Sequence, residues 1–202
     1  MTAVALIDYG AGNIQSVRNA LKAAGAAQVA VTRDPEIVRG ADRIVLPGVG
    51  AFAHCMASLS AIEGMVEALD MATGAGGRPF LGICVGMQLM AEAGEEHGRH
   101  PGLGWIDGTV RLMQPSLPGL KIPHMGWNEV VPLGGHPLIE AGEAYFLHSY
   151  AFEGDAVLAT TSHGGPVTAA IGAGNRIGVQ FHPEKSQRYG IALLQRFLEW
   201  KP

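Results

Sequence analysis

The chain of 202 residues is 48% hydrophobic and 16% charged, too apolar and too lightly charged for a disordered segment, and long enough to bury a core without a disulfide or metal staple. Its 14 basic and 18 acidic residues leave a formal net charge of −4 with no basic run, which argues against nucleic acid as the main partner. Two cysteines exclude a disulfide scaffold and fit a reducing cytoplasm; no basic leader opens the chain, and no apolar run reaches the ~20 residues of a membrane span.

The first half alternates short apolar runs with helical patterns. Val4–Ile7 reads as a strand buried on both faces, and Asp8–Asn13 as a turn. Ile14, Val17, Leu21 and Ala24 recur at helical spacing, with Gly25 as the stop. Val29–Val31 is the next strand, and Asp34-Pro35 an N-cap followed by proline at the first helical position. Arg43–Leu46 forms a strand ending at Pro47-Gly48. One long helix is expected from about Ala53 to Ala72, then a loop over Gly74–Pro79, a strand over Phe80–Ile83 and a helix over Val85–Ala93. Such a series implies a parallel sheet covered by helices.

The second half reads differently. Thr109–Met113, Asn128–Val131, Ala144–Tyr150, Val157–Thr161, Val167–Ile171 and Ile177–Phe181 are short, closely spaced strand patterns, which predict an antiparallel section. A last helix covers about Gln187–Trp200. No composition break marks a linker, so residues 1–202 are expected to form one α/β domain.

Two segments carry chemistry. Gly82-Ile83-Cys84-Val85-Gly86 places a thiol between strand and helix in the form Gly-x-nucleophile-x-Gly. At such an elbow the nucleophile protrudes, and the helix N-terminus favours the thiolate and offers free N–H groups. The plainer alternative is a small buried cysteine, which is how Cys55, inside an apolar helical pattern, is read. His182 and Glu184 flank Pro183 at the end of the last strand pattern. Alternation along a strand would put both on one side, where a carboxylate can fix the imidazole tautomer; the alternative is a surface His-Pro turn. Both segments end strands, and sites in open parallel sheets gather at the carboxyl ends of strands. Pro47-Gly48-Val49-Gly50 also follows a strand and can supply one half of an oxyanion hole, with the Val85 N–H as the other. Gly10-Ala11-Gly12 lacks the pattern of a nucleotide loop, and the histidines lack ligand spacing, so neither nucleotide nor metal binding is expected.

Four segments taken in order resemble one family: Leu46–Phe52, Gly82–Gln88, Pro123-His124-Met125-Gly126-Trp127-Asn128, and Gly178–Ser186. They are similar to the class I glutamine amidotransferases, and within them to the glutaminase subunits of imidazole glycerol phosphate synthase in histidine biosynthesis. The resemblance runs from Asp8 to the final helix, and the Pro-His-Met-Gly-Trp-Asn segment is its most discriminating part. It implies a flavodoxin-like fold with a mostly parallel central sheet flanked by helices. It implies Cys84 as nucleophile, His182 as general acid and base, and Glu184 as its orienting partner. The Pro47–Gly50 segment would be the oxyanion strand, with Val49, Gly50 and Val85 around the developing charge, and Gly48, Gln88, Ser149 and Tyr150 would surround the bound glutamine. The partner would be a (β/α)₈-barrel cyclase in a heterodimer, met by Asn13, Trp127, Tyr145 and Lys185, with ammonia passing through the barrel. No cofactor is implied.

Val85 departs from the family, where leucine is more usual, but only its backbone N–H is needed. A resting Gly48–Val49 peptide that presents its carbonyl to the site and flips on docking would keep the free chain silent. Three alternatives stand beside this reading. They are a glutaminase serving pyridoxal phosphate synthesis, which the Pro-His-Met-Gly-Trp-Asn segment disfavours, a stand-alone thiol hydrolase, and a non-enzymatic subunit that has kept the fold.

Overall fold

A computed structural model describes residues 2–117 and 119–202. The apolar runs of the first half pair as parallel strands. β1 (Ala3–Ile7) lies between β2 (Gln28–Thr32) and β3 (Arg43–Gly48), and β3 pairs with β4 (Phe80–Cys84). Every residue of β3 and β4 is buried, the state expected of runs with no polar alternation. The intervening helices are α1 (Ile14–Ala23), α2 (Pro35–Gly40), α3 (Phe52–Ser60) and α4 (Met65–Thr73). Asp34 caps α2 by accepting from the Glu36 N–H at 2.9 Å, and Pro35 occupies the first helical position.

Beyond β4 come α5 (Val85–Gln88), β5 (Ala91–Gly94), β6 (His100–Pro101), β7 (Ile106–Leu112), β8 (His124–Pro132), β9 (Gly142–His148), β10 (Tyr150–Glu153), β11 (Val157–Ser162), β12 (Pro166–Ala173), β13 (Arg176–Val179), a 3₁₀ turn at Pro183–Lys185, and α6 (Gln187–Glu199). The large sheet has nine strands in the order β2-β1-β3-β4-β13-β12-β11-β8-β9. The pairs from β2 to β13 are parallel and those from β13 to β9 antiparallel. The antiparallel section thus extends the same sheet. A second sheet, in the order β10-β7-β5-β6, packs beside it.

The helices gather as α1 with α6, and α2 with α3 and α4. Arg43, buried at the start of β3, donates from Nε to the Phe197 carbonyl (2.8 Å) and from Nη2 to the Trp200 carbonyl (2.7 Å). This cation closes the C-terminal end of α6, where carbonyls lack helical partners and negative charge collects.

Four elements differ from the sequence expectation. The helix expected over Ala53–Ala72 is two helices, because Gly64 adopts a left-handed φ of +76° and ends any helical continuation. The helix expected over Val85–Ala93 stops at Gln88, and Ala91–Gly94 is claimed by strand pairing with β6 and β7. The strand expected over Ala144–Tyr150 divides at Ser149, with β9 joining the large sheet and β10 the small one. The last strand ends at Val179, so Phe181 lies outside it. Among the described residues no helix is long and apolar enough to cross a membrane.

Candidate active site

β4 lies between β3 and β13, so the carboxyl ends of three parallel strands meet side by side. Gly48 ends β3 in register with Cys84 at the end of β4, and the rung pairing Val179 with Ile83 leads directly into Gln180. Chain order alone separates these residues by scores of positions; the strand order brings them together.

Cys84 has φ 54° and ψ −113°, a conformation that non-glycine residues rarely hold. Its flanking glycines are required by contact. A Cβ on Gly82 would lie 2.6 Å from the Gly86 carbonyl oxygen, and one on Gly86 would overlap the Leu46 carbonyl. The Gly-x-Cys-x-Gly pattern is therefore a true strand-to-helix elbow, with the thiol at the N-terminus of α5.

His182 and Glu184 meet, but by a different local structure from the one expected. β13 has ended before them, and the 3₁₀ turn at Pro183–Lys185 folds Glu184 back. His182 Nδ1 lies 2.9 Å from Glu184 Oε1, with the two side chains 3% and 1% exposed. The turn is held by the His182 N–H donating to the Tyr145 carbonyl (2.9 Å) and by Ser186 Oγ donating to the His182 carbonyl (2.7 Å). Burial alone pushes the His182 imidazole down; hydrogen bonds to Cys84 and Glu184 outweigh it and raise it to about 9. Glu184 Oε2 is buried without a partner.

A cavity of about 310 Å³ opens over these groups, lined by Cys84 and His182 with Val49, Gly50, Val85, Gln88, Ser149, Tyr150 and Lys185 among others. Gly48 does not line it. That residue is packed underneath, where a Cβ would meet Gly86 N at 2.6 Å and Tyr9 Oη at 2.8 Å. A larger groove of about 640 Å³ runs past Arg111, Met113 and Phe152 and contains no cysteine.

Of the residues expected at a partner face, Lys185 lines the cavity. Trp127 and Tyr145 are cross-strand neighbours on β8 and β9 with ring centroids 6.1 Å apart, and Lys185 Nζ sits 5.6 Å from the Tyr145 ring centre. Trp127 is 48% exposed, and Met125 and Leu147, the adjacent rung but one, are exposed as well. Asn13 precedes α1, which packs against the 3₁₀ turn carrying Lys185.

Sequence reasoning passed over two groups. Cys55 is wholly buried, as expected of a core residue, yet its Sγ also contacts the Val49 carbonyl at 3.3 Å, beneath the Pro47–Gly50 segment; burial pushes this thiol up. His124 and His148 form a buried pair (Nδ1 to Nε2, 3.2 Å), and His148 Nδ1 faces the Tyr150 carbonyl at 3.0 Å. A carbonyl only accepts, so His148 carries its proton on Nδ1 and receives His124's on Nε2. Burial pushes both imidazoles down to about 4, keeping them neutral. The only sequence signal was their place beside the cavity-lining residues: His124 in the Pro-His-Met segment and His148 before Ser149.

Comparison with known proteins bears on the family and the fold. The family model for glutamine amidotransferase class-I matches residues 5–200. The imidazole glycerol phosphate synthase subunit HisH of Zymomonas mobilis is 61% identical, over 98% of this chain and 96% of that one. The protein of the same name from Rhodospirillum rubrum is 55% identical, over 98% and 99%. Among solved structures, a glutamine amidotransferase crystal structure superposes with a TM-score of 0.75 at 19% identity, covering 98% of each chain. The Thermotoga maritima PurLQS structure does so with a TM-score of 0.74 at 17% identity, covering 98% and 99%. These last two share the fold.

Proposed function

Because the chain belongs to the class I glutamine amidotransferase family, we propose that Cys84, His182 and Glu184 hydrolyse glutamine through a thioester on Cys84, as the glutaminase subunit of an imidazole glycerol phosphate synthase. The observation that carries the chemistry is the elbow thiol in a cavity with an imidazole whose Nδ1 is held by a buried carboxylate.

The geometry supports a role for each residue in the proposed steps. Glu184 holds the Nδ1 proton, so His182 Nε2 is the atom turned to the reaction. The Cys84 thiolate attacks the carboxamide carbon of glutamine. The oxyanion develops toward the Val85 N–H at the start of α5 and a backbone N–H of the Val49–Gly50 segment. Protonated His182 gives its Nε2 proton to the leaving nitrogen, and ammonia departs as the thioester forms. Having given its proton to ammonia, the His182 imidazole is neutral for the second half. Neutral His182 then takes a proton from water, the hydroxide adds to the thioester carbon, and collapse expels the Cys84 thiolate with glutamate. The imidazolium–thiolate pair is restored.

The lining residues fall into roles by position. Ser149 and Tyr150 lie where β9 passes into β10, and Gln88 ends α5, so all three border the space a glutamine side chain would fill. Gly48 acts from below, through the close packing that lets the oxyanion segment approach α5. In the silent free chain, the Gly48–Val49 peptide turns its carbonyl inward until docking.

Free ammonia is mostly protonated at neutral pH and then not nucleophilic, so delivery calls for a covered path. Met125, Trp127 and Leu147 are exposed apolar residues of β8 and β9; Leu147 lines the cavity together with Lys185, which sits over the Tyr145 ring. That placement suits a docking face for a (β/α)₈-barrel cyclase, with Asn13 at its margin, and a cytoplasmic heterodimer. Trapping the complex with the cyclase subunit and its nucleotide ligand, using glutamine and acid quench, tests the chemistry: a γ-glutamyl adduct is expected on the Cys84 peptide, and its appearance on Cys55 or nowhere would refute the reading.

A further inference from the structure

Gln180 lies between β13 and His182, is 0% exposed, and has no part in the steps above. Its side-chain amide bridges two groups. Oε1 faces Gln88 Nε2 at 3.0 Å, and Nε2 faces Cys84 Sγ at 3.7 Å.

The direction of this bridge is fixed by a backbone atom. The Tyr150 carbonyl, 2.9 Å from Gln88, only accepts, so the facing atom of Gln88 is its amide nitrogen. That same nitrogen faces Gln180, whose facing atom must then be its oxygen, since two NH₂ groups give no bond. The remaining end of Gln180 is its NH₂, and it points at the sulfur. Flipping either amide would leave buried polar groups unpaired, which is costly. The Tyr150 carbonyl is held in turn by His148 Nδ1 at 3.0 Å.

We propose that Gln180 is a further catalytic residue, whose side-chain N–H donates to Cys84 Sγ and stabilises the thiolate before attack and when the thioester collapses. Gln88 and the Tyr150 carbonyl aim it. Gln88 therefore serves two ends, its nitrogen fixed within the protein and its Oε1 left for the substrate carboxamide. No new bond is made in this role; the donor strengthens as charge gathers on sulfur, as charge-assisted hydrogen bonds do. The inference rests on Cys84 as nucleophile.

The test uses the full chain. Gln180→Met removes the donor at similar volume; Gln180→Glu keeps the acceptor for Gln88 but turns a carboxylate toward the sulfur. Iodoacetamide alkylation at neutral pH, read by mass at the Cys84 peptide, is expected to slow roughly tenfold or more in either variant. In the complex with the cyclase subunit, kcat for glutamate release is expected to fall by a similar factor, with KM unchanged in Gln180→Glu, which keeps the acceptor that positions Gln88. A purely structural role would lower thermal stability without this selective loss of sulfur reactivity. Wild-type alkylation rates at Cys84 in a folded variant overturn the proposal. If one variant fails to fold, the other decides. Persistence of glutaminase activity in Cys84→Ala would instead overturn the assignment of the nucleophile, a distinct result.

Discussion

Glu184 binds His182 Nδ1 through Oε1 at 2.9 Å while its Oε2, buried beside it, has no partner. A carboxylate half-satisfied in the interior is held by its charge relation to the imidazole rather than by a full set of hydrogen bonds. Glu184→Gln keeps the shape and removes the charge. We expect kcat for glutamate release to fall about 10- to 100-fold, and the His182 titration, followed by NMR, to shift below its wild-type value near 9. An unchanged titration would show that Glu184 does not support the imidazolium.

The same histidine ties stability to alkaline pH. Its folded value of about 9 lies above the ordinary 6.5, so the charged form is favoured by folding. That contribution is fully present below pH 6.5 and is lost as pH rises through about 9. Thermal unfolding of the wild type and His182→Gln across this window is expected to show the wild-type advantage shrinking as pH rises. A constant difference would contradict the pairing.

His124 and His148 predict the opposite limb. Their folded values near 4 lie below the ordinary 6.5, so their neutral forms are favoured by folding, above all by burial. The stability they confer is present above pH 6.5 and lost as pH falls through about 4. Replacing His148 with Gln is expected to flatten the loss of melting temperature between pH 6.5 and 4, measured against the wild type.

How far the sequence revealed this site follows from the range of each signal. The elbow at Cys84 was legible because its two glycines stand within five residues, Gly82 to Gly86, although only the Gly82 contact is local and Gly86 is demanded by the Leu46 carbonyl on β3. The parallel strands were legible because β4 is apolar throughout and β3 is so after Arg43. His182 and Glu184 were legible as residues, but not the 3₁₀ turn that joins them, since local alternation suggested a strand. The division of Ala144–Tyr150 was hidden because both pieces remain extended and only their pairing partners change. Gln180 was hidden for the same kind of reason: its partners Gln88, Tyr150 and Cys84 come from other elements, and no spacing along the chain announces them.

The partner face gives a prediction separate from the chemistry. Trp127 is half exposed and packs edge-on against Tyr145, so Trp127→Ala is expected to leave the melting temperature of the free chain nearly unchanged. Binding to the cyclase subunit is expected to weaken about 30-fold, the effect of a central aromatic anchor. Isothermal titration calorimetry measures the loss; wild-type affinity would remove Trp127 from the interface.

Glutamate release from glutamine by the purified chain, alone and then with the cyclase subunit and its nucleotide ligand, tests the whole account most directly. Little release alone, strong stimulation by both together and none from Cys84→Ala is the predicted pattern. Full activity of the chain alone would contradict the docking-dependent site and point to an independent thiol hydrolase.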